Sequence, residues 1–173
     1  ITTYLATLDQ ENMTRDDVQR MDDILAFTSN IGHAGDIAHH GLLSHVAKLR
    51  KQGWTFSPEQ RASLDDTLGQ LIANERQAAA LFVNDDLRQA RALAGEKARF
   101  RTIETQAADT HLQKIKAGQV DAAEVGALYL DILRDMKGIN SHLVGAAAYP
   151  LLARHGELCL LYTSDAADEG LGV

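Results

Sequence analysis

Residues 128–152 read LYLDILRDMKGINSHLVGAAAYPLL, and this stretch decides the class of fold. Apolar residues recur through it, and just before it, at steps of three and four: Val125, Leu128, Ile132, Met136, Ile139, Leu143 and Ala146. This spacing places them along one side of an α-helix and predicts a helix with one buried face. No part of the chain alternates apolar and polar residues over the length of a strand.

Three more segments have the same helical period, and residues with known capping preferences flank them. Thr14 and Ser57 are the predicted N-caps of the first and second helices, and Pro58 suits the first helical position. Asn84 or Asp85 is the predicted N-cap of the third helix. The glycines expected at helix C-termini are Gly53, Gly118 and Gly156.

The sequence therefore predicts an all-α protein, an elongated antiparallel bundle of four long helices. These helices cover about residues 15–52, 58–83, 86–117 and 121–155, and the end of a truncated helix covers residues 1–9. Short connections between long helices make consecutive helices antiparallel. Apolar residues predicted to face the core in the first three helices include Val18, Ile31, Val46, Leu68, Ile72, Leu112 and Ile115.

The composition of the 173 residues agrees with one all-α domain. Hydrophobic residues make up 45% of the chain, and two prolines occur, which argues against disorder. Aromatic residues make up only 5% and the net charge is −7, so we expect no nucleic-acid partner. No apolar run approaches the roughly 20 residues that cross a bilayer as a helix.

The two ends of the chain raise separate expectations. The chain opens at Ile1 with apolar residues already at helical spacing, so we expect a fragment of a longer protein. The helical domain should comprise residues 1–158. Residues 159–173 contain the single cysteine, and the first ten of them match the translation of the end of a transposase-type sequencing adapter. We therefore expect this segment to be a non-native tail without function.

Two stretches place glycines inside helices, where each glycine costs about 1 kcal/mol relative to alanine. They are SNIGHAGDIAHHGLLSH, residues 29–45, and MKGINSHLVGAAAYPLL, residues 136–152. Close approach of two backbones explains such glycines, so we expect the middles of the first and last helices to touch. Pro150 should kink the last helix because it lacks an N–H donor. The predicted helix-contact motif comprises Gly32, Gly35, Asp36, Gly138, Asn140, Ser141, His142, Tyr149 and Pro150.

Histidines in the same stretches raise the possibility of a metal site. His33, Asp36 and His40 share one face of the first helix, and His142 lies in the corresponding part of the last. Imidazole and carboxylate groups on facing helices can hold a metal, so these four residues form a candidate cluster. A polar helix contact explains them without a metal and is the preferred interpretation, so no cofactor is expected. Residues predicted to lie in solvent are Asp22, Asp23, His39, His45, Asp65 and Asp66.

Catalysis has little support in the sequence. The chain lacks a phosphate-binding loop, a dinucleotide fingerprint and a G-x-S-x-G nucleophile motif. Ser141 and His142 are adjacent in a helix and point in different directions, so they do not form a catalytic pair. We expect no enzymatic activity.

At the glycine-rich stretches the sequence resembles a known family. NIGHAGDIAHHGLL, residues 30–43, is similar to the L-E-R-I-G-D-x-A segment of PhoU-type proteins. Residues 128–152 resemble the cytoplasmic PhoU-like domain of bacterial sodium/phosphate cotransporters, which reads close to L-x-L-D-L-L-R-D-L-x-R-I-N-S-H-L followed by A-Y-P. EKARFRTIETQAADTHLQKIKAG, residues 96–118, resembles the preceding helix of that domain. The residues that fit the pattern are Leu128, Leu130, Asp131, Leu133, Arg134, Asp135, Ile139, Asn140, Ser141, His142, Leu143, Ala148, Tyr149 and Pro150.

The resemblance covers essentially residues 1–158 and implies a PhoU-like fold, but the metal-binding acids of that family are mostly missing. Gly32 stands in place of the Glu of the first motif, and Lys137 and Ser141 replace Glu and Asp in the second. Phe100 stands where a third motif has an acid. Iron or hard-cation sites need several carboxylates, so the family's metal cluster is not carried over to this chain.

The resemblance implies a non-catalytic regulatory domain of a sodium-coupled phosphate transporter, on the cytoplasmic side of the bacterial inner membrane. A transmembrane portion of the same protein, N-terminal to Ile1, would handle the phosphate. The domain would modulate phosphate uptake by packing against that portion or against a second copy in a homodimer. The alternative hypothesis is a freestanding PhoU-like regulator of phosphate signalling that binds metal through His33, Asp36, His40 and His142.

Overall fold

A computed structural model describes residues 13–119 and 123–157, and these residues are mostly helical, with no β-strand among them. The α-helices are α1 (Arg15–Asp36), α2 (Leu43–Gln52), α3 (Pro58–Leu81), α4 (Leu87–Lys116), α5 (Ala123–Leu143) and α6 (Tyr149–Arg154). A π-helical turn, Ile37–Leu42, joins α1 to α2, and a second, Val144–Ala148, joins α5 to α6. We call α1 to α2 the first helix and α5 to α6 the last helix. The predicted all-α bundle of four long helices is confirmed.

Local capping explains where the first two long helices begin. The Thr14 hydroxyl accepts a hydrogen bond from the Asp17 N–H, and the Asp17 carboxylate accepts one from the Thr14 N–H. Ser57 and Gln60 make the same reciprocal pair at the start of α3. Each pair satisfies two backbone donors that have no partner within the helix, as the sequence predicted for both caps.

The third long helix begins slightly later than predicted. Its N-cap is Asp86, and not Asn84 or Asp85, because the Asp86 carboxylate accepts the N–H groups of Arg88 and Gln89 at 2.9 and 3.1 Å. The predicted glycines do close their helices. Gly53, Gly118 and Gly156 all have positive φ, between 66° and 80°, which a side chain would strain.

The last helix lies at the centre of the bundle, and the other three pack against it. Tyr129 bonds Ser63 and Asn140 bonds Asn74, so α3 runs parallel to the last helix. The first helix and α4 run antiparallel to it. Most of the buried apolar side chains belong to this central helix: Leu128, Tyr129, Ile132, Leu133, Met136, Ile139, Leu143, Val144, Ala146, Ala147, Ala148, Leu151 and Leu152.

The buried faces of the outer helices are narrower than the sequence predicted. Seven apolar side chains expected in the core are between 36% and 48% exposed: Val18, Ile31, Val46, Leu68, Ile72, Leu112 and Ile115. An outer helix that packs mainly on one central partner buries a narrow stripe, so residues at the edges of a broad apolar face remain in contact with solvent. The π turn Ile37–Leu42 also adds a residue to one turn, which changes the face that α2 presents.

Pro150 does not break the last helix. It is the second residue of α6, directly after the π turn Val144–Ala148, and the Tyr149 N–H bonds the Val144 carbonyl five residues back. A local change of helix type at this point accommodates a residue without an N–H.

Three predictions fall outside the described residues: the truncated helix at 1–9, the start of the last helix at residue 121 and the tail at 159–173. Among the helices that are described, none combines the length and apolar character needed to cross a membrane.

Candidate functional site

The contact between the first and last helices forms the candidate site, and three polar contacts cross it. Each contact joins a residue of the first helix to a residue of the last helix. The first and the last of the three lie towards opposite ends of the first helix. The contacts are Asp23 with Arg154, Asn30 with His142, and His45 with Asp135. Apolar side chains and glycines fill the space between them, so the helices meet at their middles as the sequence predicted.

The central contact holds His142 in one orientation. The Asn30 side-chain nitrogen donates to the Ala26 carbonyl at 2.9 Å, so the Asn30 amide oxygen faces Nδ1 of His142, at 3.0 Å. That oxygen can only accept, and Nδ1 therefore carries the proton when His142 is neutral. The His33 ring lies 5.3 Å from the His142 ring. Burial, and next the nearby His33, hold the pKa of His142 below its usual value.

Glycines allow the helices to approach closely beside these polar contacts. A Cβ atom on Gly41 would lie 2.2 Å from Oδ2 of Asp135, so Gly41 leaves the space that this carboxylate occupies. The same carboxylate lies 3.1 Å from Nε2 of His45. His45 is therefore partly buried at the helix contact, and not in solvent as predicted. Gly138 likewise admits the end of Ile37, which would be 3.3 Å from an added Cβ.

Both π turns belong to this contact. The turn Ile37–Leu42 packs against α5, and the turn Val144–Ala148 packs against α1. Gly145, in the second turn, faces the Asn30 amide, whose oxygen would lie 3.2 Å from an added Cβ. Single π-helical turns are rare and occur often at functional sites. The first helix and the last helix therefore each have a π turn at the place where they pack against one another.

A buried chain of amides fixes α3 to the last helix on the opposite side. Gln70 donates to Asn74 at 2.9 Å, and Asn74 donates to the Asn140 oxygen at 2.8 Å. Asn74 is 1% exposed and Asn140 is fully buried. The Asn74 nitrogen and the Asn140 oxygen satisfy each other, whereas the buried Asn140 nitrogen has no hydrogen-bond partner among the described residues. The sequence predicted Asn140 as a contact residue but missed Asn74, which lies among charged and alanine residues without a recognisable motif.

The contact between Asp23 and Arg154 overturns one prediction. Asp23, expected in solvent beside Asp22, is 7% exposed, and its carboxylate accepts a hydrogen bond from Arg154 at 3.0 Å. Arg154 also bonds Asp85 at 2.8 Å, so one guanidinium joins three segments at this end of the bundle. Asp23 is buried because its helix turns it towards the last helix, which its neighbour Asp22 does not face. Asp65 and Asp66 are exposed as predicted.

The candidate metal cluster does not come together. His33 and His142 are neighbours, but His40 is exposed and its ring contacts His39 at 4.7 Å. Asp36 is also exposed. Within residues 13–119 and 123–157, no group of three or more His, Cys, Asp or Glu side chains is arranged to hold a metal ion.

Other predicted contact residues differ in their surroundings. Gly32 and Gly35 are exposed, and nothing lies within 4 Å of an added Cβ, so close packing against the last helix does not require glycine there. Ser141 and Pro150 are half-buried. Tyr149 contacts α4, because Nζ of Lys97 lies 5.7 Å from its ring centre and 3.4 Å from its hydroxyl.

Lys137, which stands where the PhoU motif has an acid, forms an ion pair with Glu104 of α4. Arg134 lies 3.5 Å from the same carboxylate and 2.9 Å from Asp131. These carboxylates are therefore paired with basic side chains of the protein itself. A cation at this position would have to displace them.

Comparisons with known proteins find relatives that are named for inorganic phosphate export. The chain is 28% identical over 157 residues to the protein named "Putative inorganic phosphate export protein YjbB" of Escherichia coli (strain K12), and 29% identical over 152 residues to the protein of that name from Salmonella typhimurium. These alignments cover 91% and 88% of this chain but only 29% and 28% of the relatives. The chain thus spans less than a third of their length. No protein-family model and no solved structure matches it.

Proposed function

We propose that this chain is the non-catalytic regulatory domain of a bacterial phosphate transport protein. The observation that carries the proposal is the similarity to proteins named for inorganic phosphate export, which extends over 91% of the chain but only 29% of the relative. More than two thirds of the relative's length therefore lies outside the matched part. In the proposed arrangement, a membrane portion of the same protein occupies that length and carries the phosphate.

The arrangement of the site supports regulation in preference to chemistry. Asp135, Asn140 and His142 each have a polar partner on another helix, so these groups act in packing the bundle. We propose that the first helix moves against the last helix when the domain signals to the membrane portion.

The proposal includes three finer assignments: sodium-coupled transport, the cytoplasmic side of the inner membrane, and contact with the membrane portion as the means of control. Their support is the resemblance of residues 128–152 to the PhoU-like domain of sodium/phosphate cotransporters. The relatives are named for export whereas that resemblance implies uptake, so the direction of transport has to be measured.

Phosphate flux in the full-length protein tests the proposal. Radiolabelled phosphate efflux and uptake would be followed in cells that express the whole protein or a version without this domain, with and without sodium. We expect transport to persist without the domain and to lose its response to external phosphate. Membrane abundance, measured by immunoblot, separates a loss of transport from a loss of protein.

A matched pair of variants refines the test. Gly41→Leu forces a side chain into the space of the Asp135 carboxylate, whereas Gly32→Leu adds the same side chain where nothing lies within 4 Å. Regulation should change in the first variant and not in the second. Unchanged flux and unchanged control in the domain deletion would refute the regulatory role.

A further inference from the structure

The first helix has a second face, on which five apolar residues alternate with glycine and polar residues, and which the described residues leave partly open. Its members recur at steps of three and four, with repeated steps of four around the π turn, where the turn holds an extra residue. Such spacing is the mark of a helix seam that packs against another helix. We call it the outer stripe; it comprises Asp17, Met21, Ile24, Thr28, Ile31, Gly35, His39, Leu43, Val46 and Arg50.

The outer stripe is distinct from the face that packs on the last helix, which uses Asn30, Ala34 and Gly41. Ile31 is 36% exposed, Leu43 59% and Val46 48%. Leu43 and Val46 are neighbours on the helix surface, and Ile31 lies further along the same face. Exposed apolar residues grouped on one face favour a contact surface. Gly35, in the middle of the stripe, has open space where a side chain would be.

The order of residues in the outer stripe is complementary to itself when read backwards. In two copies of the helix placed antiparallel, the stripe would pair Asp17 with Arg50, Met21 with Val46, Ile24 with Leu43, Thr28 with His39, and Ile31 with Gly35. The charged pair has opposite signs, and Ile31 meets the residue that lacks a side chain. A parallel arrangement would instead set Asp17 against Asp17 and Arg50 against Arg50, and like charges repel.

The charge distribution along the first helix agrees with the antiparallel arrangement. Its start carries four acids and two bases, a net charge of −2, whereas α2 carries the bases Lys48, Arg50 and Lys51 and no acid. We propose that the outer stripe binds a second copy of this chain, in an antiparallel arrangement with twofold symmetry. Such an interface is isologous, since the same surface serves both subunits.

Cross-linking between single-cysteine chains tests both the contact and its direction. Ile24→Cys and Leu43→Cys would be made separately in a Cys159→Ser background, and a short bis-maleimide would be applied to each chain alone and to their mixture. Positions 24 and 43 are about 28 Å apart along a helix that rises 1.5 Å per residue. We therefore expect efficient cross-linking in the mixture and little in either chain alone.

Each alternative gives a different pattern. Cross-linking of each variant with itself would show a parallel contact and would overturn the proposal, as would an absence of cross-linking in all three samples. The control pair is Ser29→Cys mixed with Ser44→Cys, two exposed positions outside the stripe. Equal cross-linking in this control would show random collision and would also overturn the proposal.

Sedimentation of the same chain gives an independent measurement. Leu43→Arg places a charge in the stripe, whereas Leu112→Arg changes a residue of similar exposure on α4. We expect the first variant to weaken self-association at least tenfold and the second to leave it unchanged, with circular dichroism confirming that both remain folded. Equal self-association in the two variants would place the contact elsewhere and refute the proposal.

Discussion

Glycine has different roles at different positions of the first helix. A Cβ added to Gly41 would lie only 2.2 Å from Oδ2 of Asp135, so there is no room for it. Gly32, in contrast, borders open space. The sequence offers the same letter in the same kind of context at both positions. Only the position of the last helix distinguishes a glycine required by packing from one that is not.

Alanine substitution should separate these two roles. Gly32→Ala should raise the free energy of unfolding by about 0.5–1 kcal/mol, because alanine restricts the unfolded chain and favours the helix. Gly41→Ala should lose that gain or destabilise the protein, since the Asp135 carboxylate must move. Urea denaturation followed by circular dichroism measures both. In an Asp135→Ala background, Gly41→Ala should become stabilising, and a persistent loss there would contradict this explanation.

The buried amide pair should behave non-additively. Asn140→Leu leaves the Asn74 amide buried without its partner, so we expect a loss of about 1–3 kcal/mol, and the same for Asn74→Leu. Replacing both amides with leucine removes the unpaired groups and should cost less than the sum of the single changes. A double-mutant cycle measures this coupling, and additive losses would show that the two amides do not depend on each other.

At the scale of elements, the contact between the first and last helices should weaken in acid. The pKa of His142 is lowered from its ordinary value of 6.5 by burial and then by His33. The unfolded chain therefore takes up a proton at His142 more readily than the folded chain does. The lowered pKa of His142 therefore contributes to the free energy of unfolding. This contribution is complete above pH 6.5 and is lost as the pH falls through the lowered pKa of the folded chain.

A comparison of variants isolates this effect from the other histidines. The free energy of unfolding would be measured between pH 7.5 and 5 for the protein and for His142→Gln, which keeps a polar side chain but cannot titrate. The unchanged protein should lose more stability in acid than the variant. Parallel pH curves would contradict the assignment, and the NMR titration of the His142 ring would report its pKa directly.

Local sequence predicted where the helices begin and end, but it did not predict which face of each helix is buried. The caps at Thr14 and Ser57 and the closing Gly53 depend on hydrogen bonds within a few residues, so the sequence predicted them. The inward faces depend on which helix packs against which. Ile31 and Val46 were predicted to be buried because a count of apolar spacing cannot separate two adjacent stripes on one helix, nor allow for a π turn between them.

At the scale of the whole molecule, stability should be unevenly distributed. Most of the buried apolar side chains belong to the last helix, whereas α2 has no buried residue. Local opening is easiest where few apolar contacts must be broken. The end of the first helix should therefore open far more often than the centre of the bundle.

Hydrogen exchange followed by mass spectrometry would measure this difference. Amides in Leu43–Gln52 should exchange much faster than those in the buried part of Ala123–Leu143. If the protein self-associates through the outer stripe, protection in Leu43–Gln52 should rise with protein concentration. Equal protection in the two segments of a dilute, monomeric sample would contradict the uneven distribution.

The sequence by itself determined the number of helices, most of their boundaries and the presence of a polar, glycine-rich contact between the first and last of them. Helical period and capping act over a few residues, so they are readable along the chain. The tertiary structure decided that the last helix is central, that Asp23 meets Arg154, that Asn74 meets Asn140, and that Gly41 and not Gly32 is the tightly packed glycine. Those outcomes depend on the relative rotation and register of whole helices, which many distant contacts fix together.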